Sequence, residues 1–153
     1  MRHRLIRPAN KHDAKRLHEI AHEAYLIYVS RIGKAPAPML ADFAALIDSG
    51  TVWAIDEKPI PGYIVMEAIG DTLHVENVAV DPMHHGQGYG RQLLDFAEAT
   101  ARAQGLPRIE LFTNVHMTEN RSLYPALGYR EFARRTEDGF ERVYFSKPIP
   151  AAP

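Results

Sequence analysis

The chain has 153 residues, 46% of them hydrophobic and 24% charged, enough to bury about 70% of the unfolded surface in one ordinary globular domain. Lys and Arg total 18 against 19 Asp and Glu, a formal net charge of −1, so nothing points to a nucleic-acid partner or an anionic membrane surface. The lack of cysteine excludes disulfides, thiolate metal sites and a covalent acyl carrier on a protein thiol.

The first residues are charged and hold no apolar run of signal-peptide type, and no stretch approaches the ~18–20 apolar residues of a membrane span. A soluble, cytoplasmic protein is expected. Residues 3–8 (HRLIRP) read as a short strand stopped at Pro8. Asn10 or Asp13 is placed to cap a helix over Ala14–Ile32, where Leu17, Ile20, Ala21, Ala24 and Ile27 or Tyr28 recur at helical spacing. Gly33–Pro38 (GKAPAP) is a loop, and a second short helix is expected over Met39–Asp48. Thr51–Ile55 and Tyr63–Ile69 are strand-like, and Gly70-Asp71 marks a turn.

The next strand, Leu73–Val80 (LHVENVAV), changes phase. Strand residues alternate faces, yet the large apolar residues switch parity between Val75 and Val78. Either both faces are buried, or a β-bulge near Glu76–Asn77 shifts the register. Asp81-Pro82 ends the strand, and His85-Gly86-Gln87-Gly88-Tyr89-Gly90 runs into an amphipathic helix that Gly105 and Pro107 stop. Arg108–Thr113 reads as a strand parallel to the previous one through a right-handed crossover. A short helix from Thr118 or Glu119 to Leu127 follows, then a hairpin of Tyr129–Thr136 and Phe140–Ser146 about Glu137-Asp138-Gly139. Lys147–Pro153 (KPIPAAP) is expected to be a loose tail. The order of elements describes a three-layer α/β plan around a mixed sheet.

Alternate glycines strip side chains from one side of the loop and permit positive φ. The first amides of the helix behind it have no internal acceptors. Together they form an anion cradle suited to a phosphate or pyrophosphate. The Walker pattern fails, because Arg91-Gln92 follows the last glycine instead of Lys-Ser/Thr. The dinucleotide fingerprint fits poorly, because its last glycine belongs one position later.

The run Val78-Ala79-Val80-Asp81-Pro82 through His85-Gly86-Gln87-Gly88-Tyr89-Gly90-Arg91-Gln92-Leu93-Leu94 resembles the acetyl-CoA-binding motif of GNAT-type N-acetyltransferases. The later run Asn120-Arg121-Ser122-Leu123-Tyr124-Pro125-Ala126-Leu127-Gly128-Tyr129 is similar to that superfamily's second signature. The resemblance implies an α/β, three-layer GNAT-like fold with a central mixed, mostly antiparallel sheet flanked by helices. It implies a single N-acetyltransferase domain over residues 1–147, with 148–153 as a flexible tail. Acetyl-CoA is the implied co-substrate, with no metal. The amides of Val78 and Val80, with Ala79 between them, would pair with the pantetheine arm. The loop from His85 through Gly86, Gln87, Gly88, Tyr89, Gly90 and Arg91 would hold the pyrophosphate. Asn120 and Tyr124, one helical turn apart, would face the same groove.

Acetyl transfer to an amine needs a base for the ammonium, donors for the developing oxyanion and an acid for the departing thiolate. A phenol of pKa about 10 can donate to a thiolate whose conjugate acid lies near 8.5, and the resemblance assigns that role to Tyr124. Glu76 resembles a glutamate that acts as base through a water, with His74 and His116 as weaker candidates. The N–H of Val78 is the expected oxyanion donor. The acceptor is expected to be a small-molecule amine, walled by Tyr25, Tyr28, Arg31, Met39, Phe43 and Glu76, with no nucleic acid and no membrane involved. His18 and His22 stand at metal-ligand spacing without a third ligand and read as a solvated face. A non-catalytic acyl-CoA-binding or sensing module and, further off, a nucleotide-binding protein are the alternatives. The sequence leaves a homodimer open.

Overall fold

The structure, a computed structural model, describes residues 5–151. Its strands are β1 (Ile6–Pro8), β2 (Val52–Ile55), β3 (Gly62–Ile69), β4 (Thr72–Val80), β5 (Arg108–Asn114), β6 (Arg130–Glu137) and β7 (Phe140–Pro148). Its helices are α1 (Ala14–Tyr25), α2 (Val29–Ile32), α3 (Phe43–Asp48), α4 (Tyr89–Ala103) and α5 (Thr118–Ala126). The strands form one open sheet in the order β1-β2-β3-β4-β5-β7-β6. β4 and β5 pair in parallel, while β1–β2, β2–β3, β5–β7 and β6–β7 pair antiparallel. The expected mixed, mostly antiparallel α/β sheet with flanking helices is therefore present. Among the described residues no helix is long and apolar enough to cross a membrane.

Two compact units divide the chain, one of residues up to Met66 with Asn77–Phe96, the other of Glu67–Glu76 with the residues from Ala97 onward. In the first, Leu17, Ile20 and Ala21 put the apolar stripe of α1 against Val52, Ala54, Tyr63, Val65 and Ala79, all buried. Asn10 and Asp13, the two residues expected to cap, act together: each side chain accepts from the other's end of a short 3-10 turn ahead of α1. The helix expected over Ala14–Ile32 breaks at Tyr25 into a 3-10 turn, resumes as α2 and stops at Gly33 with φ of 89°. The helix expected from Met39 starts later. Asp42 Oδ1 accepts the Ala45 N–H at 3.1 Å and fixes the start of α3 at Phe43. Residues before it form a separate 3-10 turn, Ala37–Leu40.

In the second unit the parallel register runs from Thr72–Arg108 to Val75–Leu111. β5 then pairs with β7 from Arg108–Pro148 to Asn114–Arg142. Paired residues share a face, so the ladders sort the side chains. Leu73, Ile109, Leu111, Val143 and Phe145 are buried on one face, and His74, Glu110, Phe112 and Tyr144 lie on the other. The β6–β7 hairpin turns on Asp138 (φ 52°) and Gly139 (φ 79°), the two left-handed positions of a two-residue turn. The C-terminal segment is not the loose tail expected. β7 continues through Pro148, and buried Ile149 donates its N–H to Pro107 O at 2.8 Å. The apolar side chain of Ile149 finds a site, and the prolines on either side need no donor partner. Ala152 and Pro153 lie outside the described residues.

Gly62 is required by close packing. A Cβ there would sit 2.9 Å from Ala79 O and 3.3 Å from both Leu93 Cδ1 and Val80 Cγ2. Gly62→Ala should therefore destabilise the protein by about 1–3 kcal/mol, read as a lowered denaturant midpoint at unchanged slope.

Candidate functional site

The parity change in β4 is a bulge. The β3–β4 turn is two residues long, with Gly70 at φ 61° followed by Asp71. Counting outward from it sets Pro61 against Val80. The Asp81 N–H instead donates to Pro61 O at 2.9 Å, and the position of the absent Gly62 Cβ points at Val80 Cγ2. β4 thus carries one extra residue, which falls where Glu76 and Asn77 together oppose one residue of β3. Strand amides alternate in direction. With Asp81 N–H directed at β3, the N–H groups of Val78 and Val80 point away from it. The parallel register of β4 with β5 has already ended at Val75.

A buried polar chain holds the bulge. Asn77 Nδ2 donates to Tyr63 OH at 2.6 Å, and Tyr25 OH donates to Asn77 Oδ1 at 2.8 Å, with Val78 O at 3.3 Å beside the same proton. Burial raises the Tyr63 phenol above its ordinary pKa, against a smaller opposing effect of the Asn77 hydrogen bond, so Tyr63 stays neutral. Tyr25, expected as an acceptor wall, has its hydroxyl committed to this chain.

Beyond β4 the chain is anchored before it turns. The Asp81 carboxylate accepts from Met83 N–H at 3.0 Å and from Arg16 Nη2 at 2.8 Å, and Arg16 Nε donates to Ile60 O. His85 Nε2 lies 3.2 Å from Val80 O, which places the ring proton on Nε2. Gly86 and Gly88 adopt φ of 80° and 81°, where only glycine is unstrained. A Cβ at either would meet no protein atom within 4 Å, so the space beside them is open. The first intrahelical bond of α4 runs from Gln92 N–H to Gly88 O at 3.0 Å. The amides of Tyr89, Gly90 and Arg91 precede it and need other acceptors. Gly90 has no positive φ, and its Cβ would make only an ordinary contact with Val80. The Tyr89 side chain is buried and donates to Glu57 Oε1, so only its backbone serves the loop. Arg91 is exposed on the first turn of α4 and has no ion pair among the described residues.

Tyr124 lies in the second unit, buried on α5 and edge-on to Phe145 at 5.6 Å and to Tyr129 at 5.9 Å. Phe145 is on the packed face of the sheet, and Tyr124 is therefore on that face too. Asn120 is half-buried one turn earlier. Its Nδ2 donates to Thr113 Oγ1 at 3.2 Å, which ties α5 to β5 and commits the amide nitrogen expected to meet a cofactor.

Glu76 faces the other way. It lines a cavity of about 230 Å³ with His74, Glu110, Phe112, Arg135 and Tyr144. Its exposed carboxylate has no hydrogen bond or ion pair among the described residues. His74 Nδ1 sits 3.5 Å from Glu110 Oε2 and is occupied there, and His116 is exposed. The remaining expected wall residues belong to the first unit. Phe43 is buried in the core, edge-on to Tyr63 at 5.3 Å, and packs instead of lining a wall. Tyr28 is half-buried with Arg31 5.2 Å over its ring, and Met39 is half-buried. Among the described residues no group of His, Asp or Glu is placed to hold a metal ion. Sequence reading missed Glu110, Phe112, Arg135 and Tyr144, whose shared signal is polar and aromatic residues at alternate positions of strands otherwise buried on one face.

The family model described as an acetyltransferase (GNAT) domain matches residues 48–131, more than half of the chain. Among solved structures, the chain is similar to the PaiA N-acetyltransferase of Thermoplasma acidophilum in complex with coenzyme A, at 16% identity and a TM-score of 0.75 over 94% of this chain and 98% of that one. It is similar to the ribosomal-protein-S18-alanine N-acetyltransferase of Escherichia coli, at 21% identity and 0.74 over 97% and 96%. It is also similar to YncA of Salmonella typhimurium with its cofactor acetyl-CoA, at 21% and 0.70 over 98% and 97%. At these identities the likeness speaks to the fold.

The anchor ahead of the loop has a measurable pH signature. Burial pushes the Asp81 carboxyl up, but the Met83 N–H and the Arg16 guanidinium outweigh it and hold the group below its ordinary value. A lowered folded-state pKa contributes stability above the ordinary carboxylate pKa of about 4, lost as pH falls through the folded value. Asp81→Asn should cost about 1–3 kcal/mol near neutral pH. The gap to the parent should close below about pH 4 in denaturation curves taken across that range.

Proposed function

The chain belongs to the GNAT acetyltransferase family, and we propose that it moves the acetyl group of acetyl-CoA directly onto a primary amine of a small molecule within a ternary complex. The observation that carries this reading is the bulge at Glu76–Asn77. In one step it turns the Val78 and Val80 amides away from β3 and leaves Glu76 unpartnered just ahead of the glycine loop. The residues present fit the co-substrate. Gly86 and Gly88 leave open space beside the first turn of α4, as a pyrophosphate requires, and outward strand amides suit an extended amide-bearing arm. Acetyl-CoA supplies a thioester carbonyl and a thiolate leaving group.

Glu76, through a water, takes the proton that the acceptor ammonium must lose before its nitrogen can attack. The Val78 N–H donates to the carbonyl oxygen as negative charge develops there. Tyr124 gives its phenolic proton to the sulfur as the carbon–sulfur bond breaks, and the second proton, which the nitrogen sheds on becoming an amide, passes to solvent, from which Tyr124 recovers its own. The carbon–nitrogen bond forms as the carbon–sulfur bond breaks, so no protein nucleophile is needed. His85 holds Val80 O, and Arg91 offers a charge to a cofactor phosphate.

Acetyl-CoA should bind with measurable heat, and free thiol should appear when an amine panel is added. Binding without thiol release across a broad panel would favour a sensing module. Tyr124→Phe should lower kcat by roughly 10²-fold while leaving acetyl-CoA affinity within about twofold; an unchanged rate would remove Tyr124 as the acid. Gly88→Ala costs only about 1–2 kcal/mol of backbone strain, but should weaken acetyl-CoA binding at least tenfold in calorimetry. Parental affinity in that variant would make the loop purely structural.

A further inference from the structure

We propose that the cavity beside Glu76 selects an amphoteric acceptor, with a primary ammonium at one end, a flat apolar middle and a carboxylate at the other. This rests on the reading of Glu76 as the base and deepens it. The cavity crosses β4, β5, β7 and β6 on the face away from Tyr124. Glu76 stands on β4 and Arg135 on β6, three strand positions apart in the sheet order, or ~14 Å between backbones at about 4.8 Å per strand. Both side chains line the same space, so its two ends carry opposite charge.

The acidic end holds Glu76 and Glu110. Glu110 is oriented by His74 at 3.5 Å and by Arg108 Nε at 3.8 Å, while Glu76 has no partner among the described residues. An ammonium seated there meets a fixed carboxylate and leaves Glu76 to accept its proton. The floor is aromatic, with the Phe112 and Tyr144 rings 5.5 Å apart. The Tyr144 hydroxyl donates to Glu137, which fixes the ring in place. At the basic end the Arg135 guanidinium lies 4.5 Å over the Tyr144 ring. The neighbouring cation Arg142 is within 3.9 Å of Glu137, whereas Arg135 has no ion pair among the described residues. Beyond its hydrogen bond to Tyr144, the stacked guanidinium has further N–H donors and no carboxylate partner among the described residues, and it is matched by a carboxylate, which it can bind through two parallel hydrogen bonds. A volume of about 230 Å³ is below the ~300–1,000 Å³ of drug-sized sites, which suits a single ring or a short chain.

The test compares 4-(aminomethyl)benzoate with 4-(aminomethyl)benzamide, which differ only in the anionic end. With acetyl-CoA and the full chain, kcat/KM for the carboxylate should exceed that for the amide at least tenfold. Arg135→Gln should bring the ratio to about one by lowering the carboxylate's value, and Arg135→Lys should fall between. Glu110→Gln should raise KM for both amines severalfold with a smaller effect on kcat. Equal kcat/KM for the two compounds in the parent, or a preference that survives Arg135→Gln, would overturn the proposal while leaving acetyl transfer intact. The same ratio is to be measured by calorimetry on the coenzyme A-bound protein. Selective carboxylate binding without turnover would uphold the selectivity and count against Glu76 as the base, and no binding of either compound would overturn the proposal.

Discussion

One inserted residue in β4 governs the site, and the hydrogen bonds of Asn77 keep it in place. A bulge breaks a ladder that would otherwise satisfy every amide, so it persists only where the surroundings over-determine it. Here the amide of a buried asparagine is gripped at both ends, by Tyr63 and by Tyr25. Leaving either atom of that amide unpaired in the core would cost about 1–3 kcal/mol. Asn77 is therefore a register lock as much as a packing residue. The strand cannot slip back by one position without carrying Asn77 off the face on which both tyrosine hydroxyls meet it.

The same shift sets the proposed acid and the proposed base on different faces. Tyr124 is embedded among Phe145 and Tyr129 on the packed face, and Glu76 lies open on the other. An acid that must deliver a proton to a sulfur gains from an environment that excludes water. A base that must pass its proton to solvent gains from exposure. The end of the parallel register at Val75–Leu111 sits between these two roles, one residue before the bulge.

The glycine loop and the phase change were legible in the sequence because each is local. Positive φ at Gly86 and Gly88 follows from missing side chains, and a parity switch between Val75 and Val78 leaves few explanations. The Asp138-Gly139 turn was legible for the same reason. The aromatic and charged cavity was not. His74, Glu110, Phe112 and Arg135 come together only through the parallel register of β4 with β5 and the antiparallel registers of β7, which no spacing along the chain encodes. Phe43 shows the converse error. A phenylalanine after a proline-rich loop looks available for a ligand, but the Asp42 cap turns it into the core against Tyr63. At the C-terminus, proline content suggested a loose tail, and the burial of one isoleucine outweighed it.

What the loop owes to its supports bears on how it binds. A cradle of glycines would ordinarily lose much backbone entropy on closing around a ligand, because glycine has the most freedom to lose. Here the freedom is already spent. Asp81 is fixed through its N–H and both carboxylate oxygens, His85 is tied back to Val80, and the Gln92–Gly88 bond closes the first turn of α4. Only the stretch from Gly86 to Gly88 lies between these anchors, and its ends are fixed on both sides. A loop anchored at both ends has less entropy to lose on binding, which leaves more of the interaction energy for affinity. Under the proposed function, the position of a phosphate in the loop would set where the far end of an extended thioester lies.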